Sequence, residues 1–249
     1  MILITFVYLK MNRRRNDYEE SGNIDGCRYE CREWNQYVRD AGGLWDRYPV
    51  EQVATPEGYQ RDPALVINFY NERRKQLLDV TPNRGHELLA ELEKNFRVTV
   101  VTQNIDNLHE RAGSSHIIHL HGELTKVCSS RDPYNPHYIK ELKPEEYEVK
   151  LGDKAGDGTQ LRPFIVWFGE AVPEIETAIQ YVEKADIFVI IGTSLNVYPA
   201  AGLLHYVPRE AAVYLIDPKP VDTHTSRPVH VIQKGASEGV AELKQLLGV

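Results

Sequence analysis

Polar residues crowd immediately behind three apolar runs of this 249-residue chain. Gln103-Asn104-Ile105-Asp106-Asn107-Leu108-His109 follows Arg97–Val101, His119-Leu120-His121-Gly122-Glu123 follows Ile117-Ile118, and Gly192-Thr193-Ser194 follows Asp186–Ile191. Together they supply amides, carboxylates, hydroxyls and imidazoles, groups that can orient a polar ligand and move a proton near neutral pH. Glycine at position 192 also permits close backbone approach. Tyr70 and Arg73 lie three apart, and so on one face of any helix that carries them. A phenol beside a guanidinium fork suits a buried carboxylate, whereas the adjoining Arg74 and Lys75 favour a solvated basic face. Plainer readings stand beside the others too. His109 and His119 read as structural histidines, Gly192-Thr193-Ser194 as a turn with a capping serine, and Trp167 and Phe168 as core aromatics.

The elements that must position these groups alternate in period. Gly85–Asn95 places Leu88, Leu89 and Leu92 on one helical face and feeds the β-branched run Arg97–Val101. Glu174–Lys184 is amphipathic and feeds Asp186–Ile191, a continuous apolar run as a buried parallel strand requires. Val213–Ile216 and Val229–Ile232 predict two more strands, and Gly239–Leu247 a closing helix. Helices alternating with buried strands imply an α/β, doubly wound parallel sheet, whose ligands sit beyond the C-terminal strand ends. Residues 128–160 lose the hydrophobic period and read as an excursion from the sheet. With a helical stretch around Pro63–Leu78, in the region 45–80, they predict a smaller second lobe.

Five strings occur in order: TQNIDNLHERAG, HLHGEL, IVWFGE, IGTSLNVYPAAGL and KGASE. Each is weak alone; together and so spaced, they resemble the core of the sirtuins, from Arg39 almost to the C-terminus, most closely the bacterial class near the desuccinylase-type enzymes. The resemblance implies one Rossmann-like domain over residues 1–249 that removes acyl groups from lysine with NAD, releasing nicotinamide and 2′-O-acyl-ADP-ribose. It implies His121 as the general base. It further implies that NAD is contacted by Gln103, Asn104, Ile105, Asp106, Gly192, Thr193, Ser194, Ala236 and Arg39, with Asp217 standing where the family has an asparagine. Phe168, Gly169, Glu170 and Val197 fall in loops that clamp the acylated peptide as an added strand. Tyr70 and Arg73 would receive the carboxylate of succinyl- or malonyl-lysine. An acyl-peptide-binding module without catalysis, and NAD glycohydrolysis or ADP-ribosyl transfer, are the alternatives.

Composition bounds the partners. A net charge of −7 argues against a nucleic-acid surface. The apolar Met1–Leu9 is nine residues long, against the roughly 20 a membrane span needs, and lacks a leader's cleavage site. Acylated-lysine proteins in the cytoplasm are the expected partners, with neither nucleic acid nor membrane. The family's structural zinc uses two cysteine pairs after the histidine; here Cys128 alone lies in that region, so no zinc is expected. Cys27 and Cys31 lie before Arg39.

The front of the chain departs furthest from the family, whose first strand leads into a Gly-Ala-Gly-x-Ser turn that meets the pyrophosphate. Nothing before Arg39 matches it. Read one base later, however, the codons of Asp25–Val38 permit T-G-A-G-M-S-A-E-S-G-I-S-T-F. Trp34, being TGG before an A, forces glycine, and Tyr29 gives only Met or Thr. Upstream, Glu19–Ile24 permit K-K-[LV]-V-I-L, and Tyr18 permits an initiating Met. Residues 1–38 therefore read as an aberrant, frame-shifted segment. As written, the chain is expected to bind NAD poorly and to lack a coherent strand at the sheet centre.

Overall fold

The computed structural model describes residues 5–11, 48–192, 200–221 and 225–249. Its elements begin with β1 (Thr5–Met11), α1 (Val50–Val53), α2 (Pro56–Arg61), α3 (Pro63–Asp79) and α4 (Arg84–Leu92). β2 (Phe96–Thr102), α5 (Leu108–Arg111), β3 (Ile117–His119), β4 (Gly122–Ser129), β5 (Lys140–Glu141) and β6 (Leu161–Ile165) follow. α6 (Ile175–Val182), β7 (Ile187–Ile191), β8 (Ala212–Ile216), β9 (His230–Ile232) and α7 (Ala236–Leu246) complete the series.

Six strands form one sheet in the order β3-β2-β1-β7-β8-β9. β2 and β3 are parallel, as are β7, β8 and β9, while β1 pairs antiparallel with both β2 and β7. The expected α/β, Rossmann-like architecture is present, with β1 as the one antiparallel strand of the six. One expectation is corrected: the sheet centre does hold a coherent strand, supplied by the apolar N-terminal run. Phe6 and Tyr8 enter one core cluster and Val7 and Leu9 the other, so a short run without alternation is what a strand buried on both faces needs. The frame-shifted codons themselves, residues 18–38, lie outside the described residues.

Helices cover both faces of this sheet. α6 contributes Ala178 and Val182 to the first cluster. On the other face α4 and α7 contribute Leu88, Leu89, Leu92, Val240 and Leu243. α4 starts where Asn83 accepts from the His86 amide, and His86 returns the contact through Nδ1 to the Asn83 amide, closing a capping box. None of the helices among the described residues is long and apolar enough to cross a membrane.

The excursion is flanked by β4 and β6, which with β5 form a second sheet, β5-β4-β6, against which α3 packs. Asp62 caps α3 by accepting from the Leu65 amide at 2.9 Å, and Pro63 opens it at a position where no amide proton is required. Its buried face, Val66, Phe69, Tyr70 and Leu77, meets Leu124, Ile165 and Trp167. Arg74 belongs to that face, contrary to a solvated basic stripe. Its Nε donates to the Leu124 carbonyl at 2.8 Å and Nη1 to Asn71 at 2.9 Å, and burial draws its pKa down to about 10.

Candidate active site

The loop that leaves β2 is stitched to the β3–β4 segment carbonyl by carbonyl. Leu120 donates its amide to Thr102 at 2.9 Å, His121 Nδ1 donates to the Gln103 carbonyl at 3.2 Å, and His119 Nδ1 to the Asn104 carbonyl at 3.1 Å. The Leu124 amide closes on Ile105 at 2.7 Å. Gln103, Asn104, Ile105 and His121 thus share one rigid assembly at the C-terminal ends of β2 and β3. A carbonyl can only accept, so the neutral His121 ring carries its proton on Nδ1 and its lone pair on Nε2. Burial is the main influence on His121 and takes its pKa down to about 4, the Gln103 bond opposing it; the ring is neutral at physiological pH.

Gly122 makes the next turn possible. Its φ is +78°, and a Cβ there would run into the Phe164 carbonyl oxygen. This close antiparallel pairing of the start of β4 with the end of β6 lets Val166 donate to the His121 carbonyl at 3.0 Å, which anchors the histidine from its other side.

A second cluster of side chains is built around Trp167. Its indole Nε1 donates to the Tyr70 hydroxyl at 3.1 Å, and the Arg162 guanidinium stacks 3.5 Å from its ring centre. Burial is the first cause of a raised Tyr70 pKa, so the phenol stays protonated. Arg73 is half-buried; desolvation lowers its pKa, and the phenol of Tyr70 and the carboxylate of Asp106 oppose that. α3 therefore brings Tyr70 and Arg73 to the same neighbourhood as Asp106 from the β2 loop.

Other sequence candidates fall in different places. Glu170 gives both carboxylate oxygens to Arg162, at 2.7 and 3.0 Å, and also accepts from the Trp167 amide at 2.8 Å. It closes the turn that presents Phe168 and the exposed Gly169, whose φ is +86°, and its carboxylate is already engaged. Phe168 donates its amide to Ala54 at 3.0 Å. Gly192 ends β7 with φ +66° and donates to Ile216 at 2.9 Å. Asp217, after β8, accepts from the Lys219 amide at 2.8 Å, and Ala236 opens α7. Arg39, Thr193, Ser194 and Val197 lie outside the described residues.

His119 and His109 have structural partners. Burial opposes the charged form of His119, but its 2.7 Å contact with Glu110 outweighs this and its pKa is raised. His109 contacts Thr5 Oγ1 at 3.2 Å; burial first, then the neighbouring His86 and His119, take its pKa to about 3. Glu110, His119 and Glu123 offer ligand atoms within 4.8 Å of one another, yet Lys126 neutralises Glu123 at 2.6 Å. Cys128 is buried, its thiol directed at the Pro163 carbonyl and its pKa raised by burial to about 12. Arg162 was missed in the sequence; a lone arginine within the apolar run LRPFIV was the available signal.

An NAD molecule can be tested against these groups. Gln103 is buried with neither amide atom partnered, and Asn107 Oδ1 is also unpaired, so the strand ends hold donors and acceptors that only a ligand or water satisfies. This fits the nicotinamide and its ribose. Among the described residues, no glycine-rich strand-to-helix turn is present for the pyrophosphate.

Comparisons with known proteins show the family. A Sir2 family model matches residues 35–199. The chain is 91% identical over 209 residues to an NAD-dependent protein deacylase of Bacteroides thetaiotaomicron, covering 84% of this chain and 89% of that protein. It is 49% identical to one of Helicobacter pylori, over 82% of this chain and 87% of that protein. Among solved structures, a Sir2 homologue in complex with NAD superposes with a TM-score of 0.72 at 34% identity, over 84% of this chain and 82% of that one. A Sir2 structure bound to a propionylated peptide superposes with a TM-score of 0.65 at 27% identity, over 81% and 86%.

Proposed function

Because this chain belongs to the Sir2 family, we propose that it is an NAD-dependent protein-lysine deacylase whose acyl pocket prefers acidic acyl groups. Deacylation yields nicotinamide, free lysine and 2′-O-acyl-ADP-ribose. The observation that carries the reading is the fixed histidine beside the unpartnered glutamine: His121 is held by the Gln103 carbonyl while the Gln103 amide has no protein partner.

When bound, NAD supplies a glycosidic bond to a cationic leaving group, nicotinamide. Gln103 holds the adjoining ribose, while Asn104, Ile105 and Asp106 orient the carboxamide. His121 accepts a proton at Nε2 from a ribose hydroxyl, a task for which a neutral, desolvated imidazole is ready. Tyr70, Trp167 and Phe168 exclude water from the acyl group, which keeps proton transfer on the intended path. Phe168 and Gly169 border the peptide. Cys128 remains a buried thiol without a zinc role, and acylated proteins of the cytoplasm are the substrates.

The acidic-acyl preference rests on Tyr70 and Arg73, a hydroxyl donor and a cation brought together by α3. Arg73→Met is expected to lower affinity and turnover for succinyl-lysine peptides at least about tenfold more than for acetyl-lysine peptides, the cost of one charge-assisted contact. Fluorescence anisotropy of labelled peptides, with product mass spectrometry, reads both. Equal losses on the two peptides would make the arginine structural.

A further inference from the structure

We infer that the slot between β2 and β7 is built for a parallel strand and that this chain fills it with the wrong polarity, so that the strand at the sheet centre does not lead into a turn at a dinucleotide's pyrophosphate. The order β3-β2-β1-β7-β8-β9 steps outward from β2 to β3 on one side and from β7 to β9 on the other, so it reverses at β1. In an open sheet the phosphates of a dinucleotide sit at that reversal, on the helix N-terminus that follows a strand's C-terminal end. Here the C-terminal ends of β2 and β7, Thr102 and Ile191, are paired with Thr5, the first residue of β1. The last residue, Met11, is paired with Phe96 and tied to Asp186 by a 2.9 Å bond from its amide. It leaves the sheet at the opposite edge, roughly 20 Å from the crevice at the usual rise per residue. The C-terminal end of β1 thus points away from the site.

Two further observations point the same way. At the crevice edge Gln103, Asn107 and His109 keep buried polar atoms without partners, as expected where a ligand-facing element is out of place. Moreover, the codons of Glu19–Glu30, read one base later, permit K-K-[LV]-V-I-L-T-G-A-G-M-S, an apolar run followed by two glycines in a turn. That run has the composition of a strand buried on both faces and the turn has the spacing for close phosphate approach. The slot, its polarity and the neighbouring frame thus agree on one occupant.

The test compares the chain as given with a restored chain that reads Tyr18–Val38 one base later and is unchanged from Arg39. Both are titrated with ADP-ribose by calorimetry, with far-ultraviolet circular dichroism as a check of folding. The restored chain is expected to bind at least on the order of 100-fold tighter, the effect of several backbone amides on phosphate oxygens. Equal affinity, or binding by neither chain, overturns the inference. Restored binding without deacylation upholds it and counts instead against the proposed activity. Resequencing the genomic DNA is expected to find one additional base near Val38; an unbroken frame encoding Asp25–Val38 overturns the coding half.

Discussion

At the scale of single residues, the site separates groups that are held from groups left waiting. His121 is fixed from two sides, through Nδ1 to Gln103 and through its carbonyl to Val166. Loss of a general base costs roughly 10²- to 10⁴-fold in rate. His121→Ala in the restored chain is therefore expected to lose deacylation by that factor while its urea midpoint changes little. Near-wild-type turnover would remove the histidine from the chemistry. Glu170 carries the opposite expectation, since its carboxylate serves Arg162 and the Trp167 amide. Glu170→Ala leaves a buried guanidinium unpaired, at a cost of about 3–5 kcal/mol, and should show first as a lower unfolding midpoint. Normal stability with lost peptide affinity would instead give Glu170 a direct substrate role.

Among the elements, the close pairing of β4 with the end of β6 decides where the histidine sits. Gly122 allows it by its positive φ and by the absence of a side chain against Phe164. Gly122→Ala in the restored chain is expected to cost about 1–3 kcal/mol from backbone strain alone, with more from the clash, and to lower turnover by displacing His121. Thermal unfolding and kinetics together check this; a variant that matches the parent in both would show that the pairing is not fixed by the glycine. The helix α3 works similarly at a distance. Its capped start at Asp62 and its buried anchor at Arg74 hold the register in which Tyr70 reaches Trp167.

For the whole molecule, burial of neutral histidines makes folding sensitive to mild acid. His109 and His121 have folded-state pKa values of about 3 and about 4, below the roughly 6.5 of an unfolded histidine. The unfolded chain therefore binds protons first as pH falls below about 6.5, and stability declines toward pH 4 by up to about 1.4 kcal/mol per pH unit for each group. His119 has the opposite shift, so its contribution is complete below the unfolded value and does not offset the loss in this window. Urea midpoints at pH 6 and pH 4.5, both below the range in which His119 titrates, should show lower stability at pH 4.5. A flat profile would mean that these rings are hydrated and free to charge.

Local signals in the sequence sufficed for most elements and for the chemistry of the strand ends. The 3.6 and continuous apolar periods placed α4, α6, β2 and β7, because burial of a face leaves its mark on neighbouring residues. The strings around Gln103, His121 and Trp167 carried the family. What spacing could not convey was contact between distant segments: Arg162 against Trp167 and Glu170, or Arg74 turned inward from a basic stretch. Strand direction was likewise hidden. The run Thr5–Met11 has the same apolar composition whichever way it enters the sheet, and only the hydrogen-bond register with β2 and β7 fixes its polarity. Side-chain pattern reports which faces are buried, whereas direction is set by backbone pairing between segments far apart in the chain.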